Sequence, residues 1–500
     1  MIEVMSVNGA REIDRSTINY IGMPSIVLME NAAHSIYDNI VHKADKFLIV
    51  CCQGNNGADG LVIARKLLLS EKEVFVMIIG GKNKTEEFEI NFNILSKITD
   101  NILIINNKLD INSSVIELIK RSDIVIDSIF GIGINRNVTG LHKDIIESIN
   151  NNAKYVIAVD SPSGVNCDSG EIQGVAIKAN ETYTFEVYKK GFLNYNIRDY
   201  LGEVKVTSIG IPEKIKASKS EGVYFLDKKE YKSFIPIRKS WGYKGDYGRV
   251  LILAGSKEYT GAAFITAESA VRSGAGLVTI VVEDDIYDIL AGKLIEAMVV
   301  KYSDGDRIDE LIKKADTIVA GPGIGKGSLN IRMLRNFILN SSCPVVLDAD
   351  GLNALNDNND LLKKLEGRAI FTPHPGEMER LSGLKVNEIE KNRIDICRNY
   401  SKNNNVITLL KGYNTVISDG YKVIINNSGS SKMASGGMGD CLSGVIGSLL
   451  SQGIELFNAA VLGAYIHGLA AERIGVNRYS VNARDVIEEI PKILEYILSN

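Results

Sequence analysis

The sequence predicts a two-domain α/β protein built on parallel sheets, and three observations predict it. Its 500 residues exceed what one hydrophobic core usually serves. In each half, short β-branched runs alternate with helical patterns, the rhythm of βαβ units. Between the two series the pattern dissolves into the charged stretch Lys214–Lys219, which puts a boundary near residues 212–225 and domains at 1–214 and 225–500.

Two helices are expected before the first series. The second, around Ser25–Ala44, sets Met29, Ala32, Ala33, Ile36 and Ile40 on one face. The strands that follow are KFLIVCC, VFVMIIG, ILIIN, DIVIDSIFG and YVIAVDSPSG, with VKVTSIGIP closing the half. The second series runs through RVLILAGS, LVTIVVE, TIVAGPGIG, PVVLDADG, RAIFTPHPGE and VITLLKGYNTVIS, and ends in three helical patterns beginning at Gly439, Glu455 and Asn482. No fixed-period repeat joins the halves.

Composition narrows the function class. With 45% hydrophobic residues, 24% charged and a net charge of -4, the chain has no basic excess to offer a phosphate backbone, so nucleic acid is not an expected partner. The six cysteines, Cys51, Cys52, Cys167, Cys343, Cys397 and Cys441, show no C-x-x-C spacing, which fits a reducing cytoplasm. Glu3, Arg11, Glu12 and Asp14 interrupt any apolar leader, and the weakly polar stretch around Ala459–Ala471 is too short to span a bilayer. Neither export nor membrane insertion is expected.

Ligands of open parallel sheets bind beyond the carboxyl ends of the strands, so those ends are where chemistry is sought. In the first half they are Gly54–Gly60 (GNNGADG), Asp127 leading to Gly131–Ile132–Gly133, and Asp160–Ser161–Pro162–Ser163–Gly164. Glycine there often serves only a tight turn, but three convergent loops make a phosphate-compatible, oxygen-rich pocket. No G-x-G-x-x-G with a downstream acid occurs, so hydride transfer is not indicated. Oxygens of Asn56, Asp127 and Ser163 suit a hard cation, and their mostly neutral character favours a monovalent ion over magnesium.

In the second half, Ala434–Asp440 (ASGGMGD) runs straight into an apolar helix, so several backbone N–H groups and the positive helix end face one point, where an anion belongs. Asp440 reads either as a helix N-cap or as a carboxylate able to take a hydroxyl proton during phosphoryl transfer. No G-x-x-x-x-G-K-[ST] run is present. Other strand ends complete the set: Gly321–Gly325 (GPGIG), Asp348–Ala349–Asp350, Thr372–Glu377 with His374 between two prolines, and Lys411–Thr415, where Lys411 is either a ligand or a solvated strand end. Alone, this half would also suit a sugar or vitamin-precursor kinase using ATP and magnesium, and the first half could be a noncatalytic module.

Taken in order, these motifs resemble the bifunctional NAD(P)H-hydrate repair enzymes, in which an epimerase module precedes an ADP-dependent dehydratase module. GNNGADG, VIDSIFGIG and VDSPSGVNCDSG carry the likeness in the first half; KGDYGRVLILAGSKEYTGAA, GPGIG, VVLDADGLNAL, TPHPGEMERL, KGYNT and ASGGMGDCLSGVIGSLLSQG carry it in the second. The resemblance implies a Rossmann-like three-layer parallel sheet followed by a ribokinase-like α/β domain. It implies that the first module interconverts the R and S hydrates and the second dehydrates the S form, giving AMP and phosphate from ADP. The implied epimerase substrate contacts are Asn55, Asn56, Gly57, Ala58, Asp59, Gly131, Ile132, Gly133, Ile134, Asn135, Arg136, Asn137 and Asp160, with potassium at Asn56, Asp127 and Ser163. For the dehydratase they are Ala263, Gly323, His374 and Asp440 toward the hydrated nucleotide, and Lys411, Gly412, Tyr413, Asn414, Thr415 and Gly439 toward ADP, which brings Mg2+. Asp440 and Asp160 are the expected catalytic acids or bases, in a homo-oligomeric enzyme. Three positions depart from the common pattern: Ala58 for glycine, Met438 for serine, and Tyr243 for histidine.

Overall fold

A computed structural model of the chain describes residues 1–81, 84–356 and 358–499, which form two compact units, one of Ile2–Val223 and one from Tyr224 onward. In the first unit the strands are β1 (Ile2–Met5), β2 (Lys46–Cys51), β3 (Glu73–Ile79), β4 (Ile102–Ile105), β5 (Ile124–Ser128), β6 (Val156–Val159), β7 (Glu181–Phe185), β8 (Tyr188–Lys189) and β9 (Glu203–Thr207). Seven of them make one parallel sheet in the order β4-β3-β2-β5-β6-β7-β9, and β1 pairs in parallel with β8.

Strand β2 shows why the unit has three layers. Successive strand residues point to opposite faces, and all but one here are apolar. Phe47, Ile49 and Cys51 enter a core with the helices Ser25–Ile40 and Asn55–Leu69, whereas Leu48 and Val50 enter another with the helices Ser113–Arg121 and Gly140–Asn152. The helix Ser25–Ile40 buries the expected five residues, Met29, Ala32, Ala33, Ile36 and Ile40, and ends four residues before Ala44.

The boundary falls within β10 (Val223–Phe225). The second unit then adds β11 (Arg249–Leu253), β12 (Leu277–Val282), β13 (Met298–Lys301), β14 (Thr317–Ala320), β15 (Val345–Leu347), β16 (Ala369–Phe371), β17 (Ile407–Leu410), β18 (Thr415–Ser418) and β19 (Val423–Asn426). Their order is β13-β12-β11-β14-β15-β16-β17-β18-β19, parallel as far as β17 and antiparallel beyond it. The stretch VITLLKGYNTVIS is therefore not one strand but a hairpin, because Gly412 (φ 147°) and Asn414 (φ 52°) turn the chain back. The same alternation recurs: Val250 and Ile252 face one core, Leu251 and Leu253 the other. Both units are thus α/β with parallel sheets, the fold class the sequence predicts.

Each sheet order reverses once, between β2 and β5 in the first unit and between β11 and β14 in the second. Adjacent loops splay apart at such a point and open a crevice at the carboxyl ends of the strands. The closing helices Met438–Ser451, Leu456–Gly475 and Ala483–Ser499 each start within one residue of the expected positions. Residues 459–471 lie inside the second of these, and among the described residues no helix is long and apolar enough to cross a membrane.

The helix Met438–Ser451 is fixed by close packing on the helix Thr260–Arg272. A Cβ at Gly444 would lie 2.1 Å from Ser269 Oγ and 2.2 Å from the Thr266 carbonyl oxygen, so only glycine permits this approach. We expect Gly444→Ala to destabilise the second unit by about 1–3 kcal/mol through overpacking, measured by denaturant unfolding; a midpoint equal to the parent would contradict this packing.

Candidate active sites

In the first unit, Asn55 and Asn56 are not part of a free loop. They open the helix Asn55–Leu69, with Gly54 as N-cap, so the unpaired amides of its first turn face the crevice beyond β2. Gly57 is required there, since a Cβ would meet the Cys52 carbonyl oxygen at 1.7 Å. Ala58 is fully buried and helical, so the departure from glycine introduces no strained turn. Gly131 lies against the Asn56 side chain: a Cβ there would be 3.4 Å from Asn56 Cβ and 3.7 Å from Oδ1. In the same loop Ile132 and Ile134 are half-buried, whereas Gly133 and Asn135, Arg136 and Asn137 are exposed.

The ends of β5 and β6 are stapled by Asp127 and Ser163. The Ser163 hydroxyl donates to Asp127 Oδ1 at 2.6 Å, its N–H donates to Oδ2 at 2.8 Å, and the Ile129 N–H donates to Oδ1 at 3.2 Å. Burial pushes the Asp127 carboxyl up to about 6, against the pull of these hydrogen bonds. Both polar atoms of the Asn56 carboxamide are buried without a hydrogen-bond partner. An orphaned carboxamide oxygen in the helix after β2, with a carboxylate and a hydroxyl at the ends of the adjoining β5 and β6, is a donor set that would suit a hard cation.

Asp160 follows β6 with φ 63°, a left-handed conformation rare for a residue with a side chain. Its Oδ1 accepts from the Thr184 hydroxyl at 3.2 Å and pairs with Lys189 Nζ at 3.2 Å. Asp59, one turn into its helix, is buried, and burial followed by the charge of Asp160 raises its carboxyl well above the ordinary range. Asp14 on the helix Val7–Ser16 is pushed up to about 6 by burial and then by Asp160. One turn earlier, Arg11 reaches the glycine loop, with a guanidinium nitrogen 2.8 Å from where a Gly133 Cβ would lie.

In the second unit a buried ion pair organises the crevice. Lys411 Nζ, at the end of β17, lies 2.7 Å from Oδ1 of Asp348 at the end of β15 and 3.8 Å from Glu377 Oε2. Burial, the largest single influence, would lower the Lys411 ammonium and raise the Asp348 carboxyl; the charges and hydrogen bonds around each together outweigh it, leaving the ammonium raised and the carboxylate lowered. The Ser443 hydroxyl donates to Asp348 Oδ2 at 2.9 Å, tying the helix Met438–Ser451 to the pair. Lys411 is therefore not a solvated strand end. Gly439 lies over the pair, where a Cβ would be 3.3 Å from both Asp348 Oδ2 and Lys411 Nζ.

Gly437, at φ 87°, is the N-cap of that helix, so Asp440 is not its cap but its third residue. The Asp440 carboxylate has no hydrogen-bond partner among the described residues. Burial and then Asp348 push it up to about 6, with Lys411 pulling the other way. His374 caps the helix Pro375–Ser382: its Nδ1 accepts from the Gly376 N–H at 3.0 Å, which leaves Nε2 to carry the proton when the ring is neutral. Gly323, at φ 62°, approaches so closely that a Cβ there would lie 2.7 Å from Tyr259 Cβ, and Ala263 is wholly buried. Gly412 packs on Arg393, whose guanidinium donates to the carbonyls of Leu410 and Lys411 at 2.9 and 3.1 Å, while Tyr413 stays half exposed and the Thr415 hydroxyl donates to the Gly412 carbonyl at 3.0 Å.

Several participants escaped sequence reasoning. Lys189 and Arg393 lie in segments without a strand-end signature, and Asp14 sits on an ordinary amphipathic helix. His467, in the apolar helix Leu456–Gly475, makes a backbone hydrogen bond with Met438 and keeps Nε2 buried without a partner; burial and then Lys411 push it down to about 4, so it is neutral. A lone histidine in a run of alanine, glycine and leucine was its only signal.

Comparison with known proteins matches residues 250–492 to a family described as NAD(P)H-hydrate dehydratase and residues 25–191 to one described as YjeF-related protein N-terminus. The chain is 34% identical to the bifunctional NAD(P)H-hydrate repair enzyme of Moorella thermoacetica over 97% of its length and 95% of that protein. It is 33% identical to the Coxiella burnetii enzyme of that name, covering 93% of each. Among solved structures, a ribokinase-like superfamily protein from Enterococcus faecalis superposes with a TM-score of 0.53 at 25% identity, covering 56% of this chain and 98% of that one. With both modules matched in order and nearly the whole length aligned, the chain belongs to the family of bifunctional NAD(P)H-hydrate repair enzymes.

Proposed function

We propose that the chain repairs hydrated NADH and NADPH, residues 1–214 interconverting the R and S hydrates and residues 225–500 dehydrating the S form with ADP. The observation that carries the second step is Asp440: a carboxylate without a hydrogen-bond partner among the described residues, in the first turn of a glycine-capped helix, beside a buried ammonium. Asp440 takes the proton from the ring hydroxyl, the hydroxyl oxygen bonds to the terminal phosphorus of ADP, and AMP leaves. The amides of Gly436–Gly439 and the Lys411 charge stabilise the transferring group. The ring nitrogen's lone pair then expels phosphate, and loss of a proton from the adjacent ring carbon restores the dihydronicotinamide.

His374, Gly323 and Ala263 orient the hydrated nucleotide, while Lys411–Thr415 and Gly439 hold the adenine nucleotide. Magnesium enters with ADP and neutralises its phosphates; among the described residues no group of three or more acidic, histidine or cysteine side chains is arranged to hold a metal alone. In the first unit, residues 55–59, residues 131–137 and Asp160 bind the hydrate, and Asp160 exchanges the proton of the ring hydroxyl or of water. Asn56, Asp127 and Ser163 would hold potassium, a reading the orphaned Asn56 carboxamide supports, and the ion would supply charge that fixes three loops. The enzyme acts in the cytoplasm as a homo-oligomer.

Recovery of reduced-nicotinamide absorbance from mixed R and S hydrates, with and without ADP, tests this function; release of a stable phosphorylated alcohol in place of AMP, phosphate and NAD(P)H would refute it. Asp440→Asn is expected to cut ADP-dependent dehydration by about 10²–10⁴-fold and to spare epimerisation. Because the Asp440 carboxyl titrates at about 6, it is protonated and unable to accept a proton at lower pH. The dehydratase rate of the parent should therefore fall on acidification through about 6, and an acidic limb centred near 4 would reject Asp440 as the base. Replacing potassium by lithium should slow epimerisation in the parent and leave Asn56→Ala, already slow, unaffected.

A further inference from the structure

The first unit places three carboxyl groups and one buried ammonium around a single point. Asp160 comes from the end of β6, Asp59 from the helix Asn55–Leu69, Asp14 from the helix Val7–Ser16, and Lys189 from β8. Glu186 and the Cys167 thiol also face this cluster, but Glu186 is saturated by the N–H groups of Ile209 and Ile211, at 2.6 and 3.1 Å, and by Lys216 at 3.0 Å.

Lys189 is only 1% exposed, and a buried ammonium persists only where its donors and charge are met. Its Nζ donates to the Thr184 hydroxyl at 2.8 Å and to the carbonyls of Phe185 and Val187 at 3.1 and 3.2 Å. Those three neighbours are uncharged. Among the described residues Asp160, 3.2 Å away, is the carboxylate paired with it, and Asp14 lies within reach of its charge. The contact with Asp160 engages Oδ1; among the described residues Oδ2 has no partner and is the oxygen left for substrate.

We propose that Lys189 is a positioning residue of the epimerase reaction, holding Asp160, and not Asp14 or Asp59, as the carboxylate that faces the substrate. Removing the ammonium would leave the Asp160 side chain, in its left-handed backbone conformation, with the neutral Thr184 hydroxyl and no ammonium at Oδ1. The raised carboxyls of Asp59 and Asp14 agree with this selection, since both are driven toward the neutral acid by burial and by the charge on Asp160.

The proposal rests on Asp160 being the epimerase base, and the test separates the two. In the full-length protein, epimerisation is followed across pH for Lys189→Met, Lys189→Gln, Lys189→Arg and Asp160→Asn, with folding checked by circular dichroism. Lys189→Gln is the second variant should Lys189→Met fail to fold, because it keeps hydrogen-bonding capacity and removes only the charge. We expect both neutral variants to lower kcat by about 100-fold with little change in KM. Their acidic limb should move up by about 1–3 pH units, and Lys189→Arg should recover most of the rate. In the Asp160→Asn background, Lys189→Gln should change nothing further. A wild-type rate in Asp160→Asn overturns the assignment of the base. With Asp160→Asn inactive, an unshifted limb and unchanged kcat in folded Lys189→Gln, or an equal loss from Lys189→Gln in both backgrounds, overturns the role of Lys189.

Discussion

The second unit depends on one interaction, the buried pair between Lys411 and Asp348. It joins the ends of β17 and β15, which are not adjacent in the sheet, across the end of β16. A buried pair gains its stability only when the remaining donors and lone pairs are also met. Here the second carboxylate oxygen takes the Ser443 hydroxyl, and Glu377 lies within reach of the ammonium. Through Ser443 the pair also sets the rotation of the helix Met438–Ser451, so the glycine turn and Asp440 are aimed by an interaction beneath them. The close approach at Gly444 fixes the same helix from the other side.

The first unit solves the corresponding problem with a hydrogen-bonded staple. Asp127 receives three donors from the loops after β5 and β6, and those loops converge because the sheet order reverses beside them. The helix Asn55–Leu69 contributes its unpaired amides from the other side of the reversal. In both units, then, the strand-end carboxylate that is best satisfied by the protein is structural, and a neighbouring carboxylate with spare capacity is left for chemistry.

This division explains what could be read from sequence and what could not. The strands were legible because alternating faces of β2 and β11 both need apolar residues, producing continuous runs such as FLIVC and VLIL. The glycine turn at Gly436–Gly439 was legible because its function is carried by backbone, which only a local composition can expose. Lys189 was not, because its partner Asp160 is 29 positions away and nothing in EVYKKGF separates it from the neighbouring Lys190. Tertiary burial distinguishes the two: one lysine is enclosed and the other is not. The hairpin at Gly412–Asn414 was missed for a related reason, since its apolar flanks read as one run and the reversal is set by the φ angles of two residues.

The electrostatic consequence is clearest in the second unit. A carboxylate paired with a buried ammonium stays ionised, and its charge, added to burial, raises a carboxyl nearby that is not so paired. Asp348, held low by Lys411, does this to Asp440. Asp440 is pushed up to about 6, near the pH at which a carboxylate is both ionised and basic enough to accept a proton from a hydroxyl. An ordinary surface aspartate would be ionised too but would hold a proton far more weakly. Placing an unpaired carboxyl beside a paired one is therefore a way to raise basicity without an additional cofactor, and it requires only that the ammonium be closer to one acid than to the other.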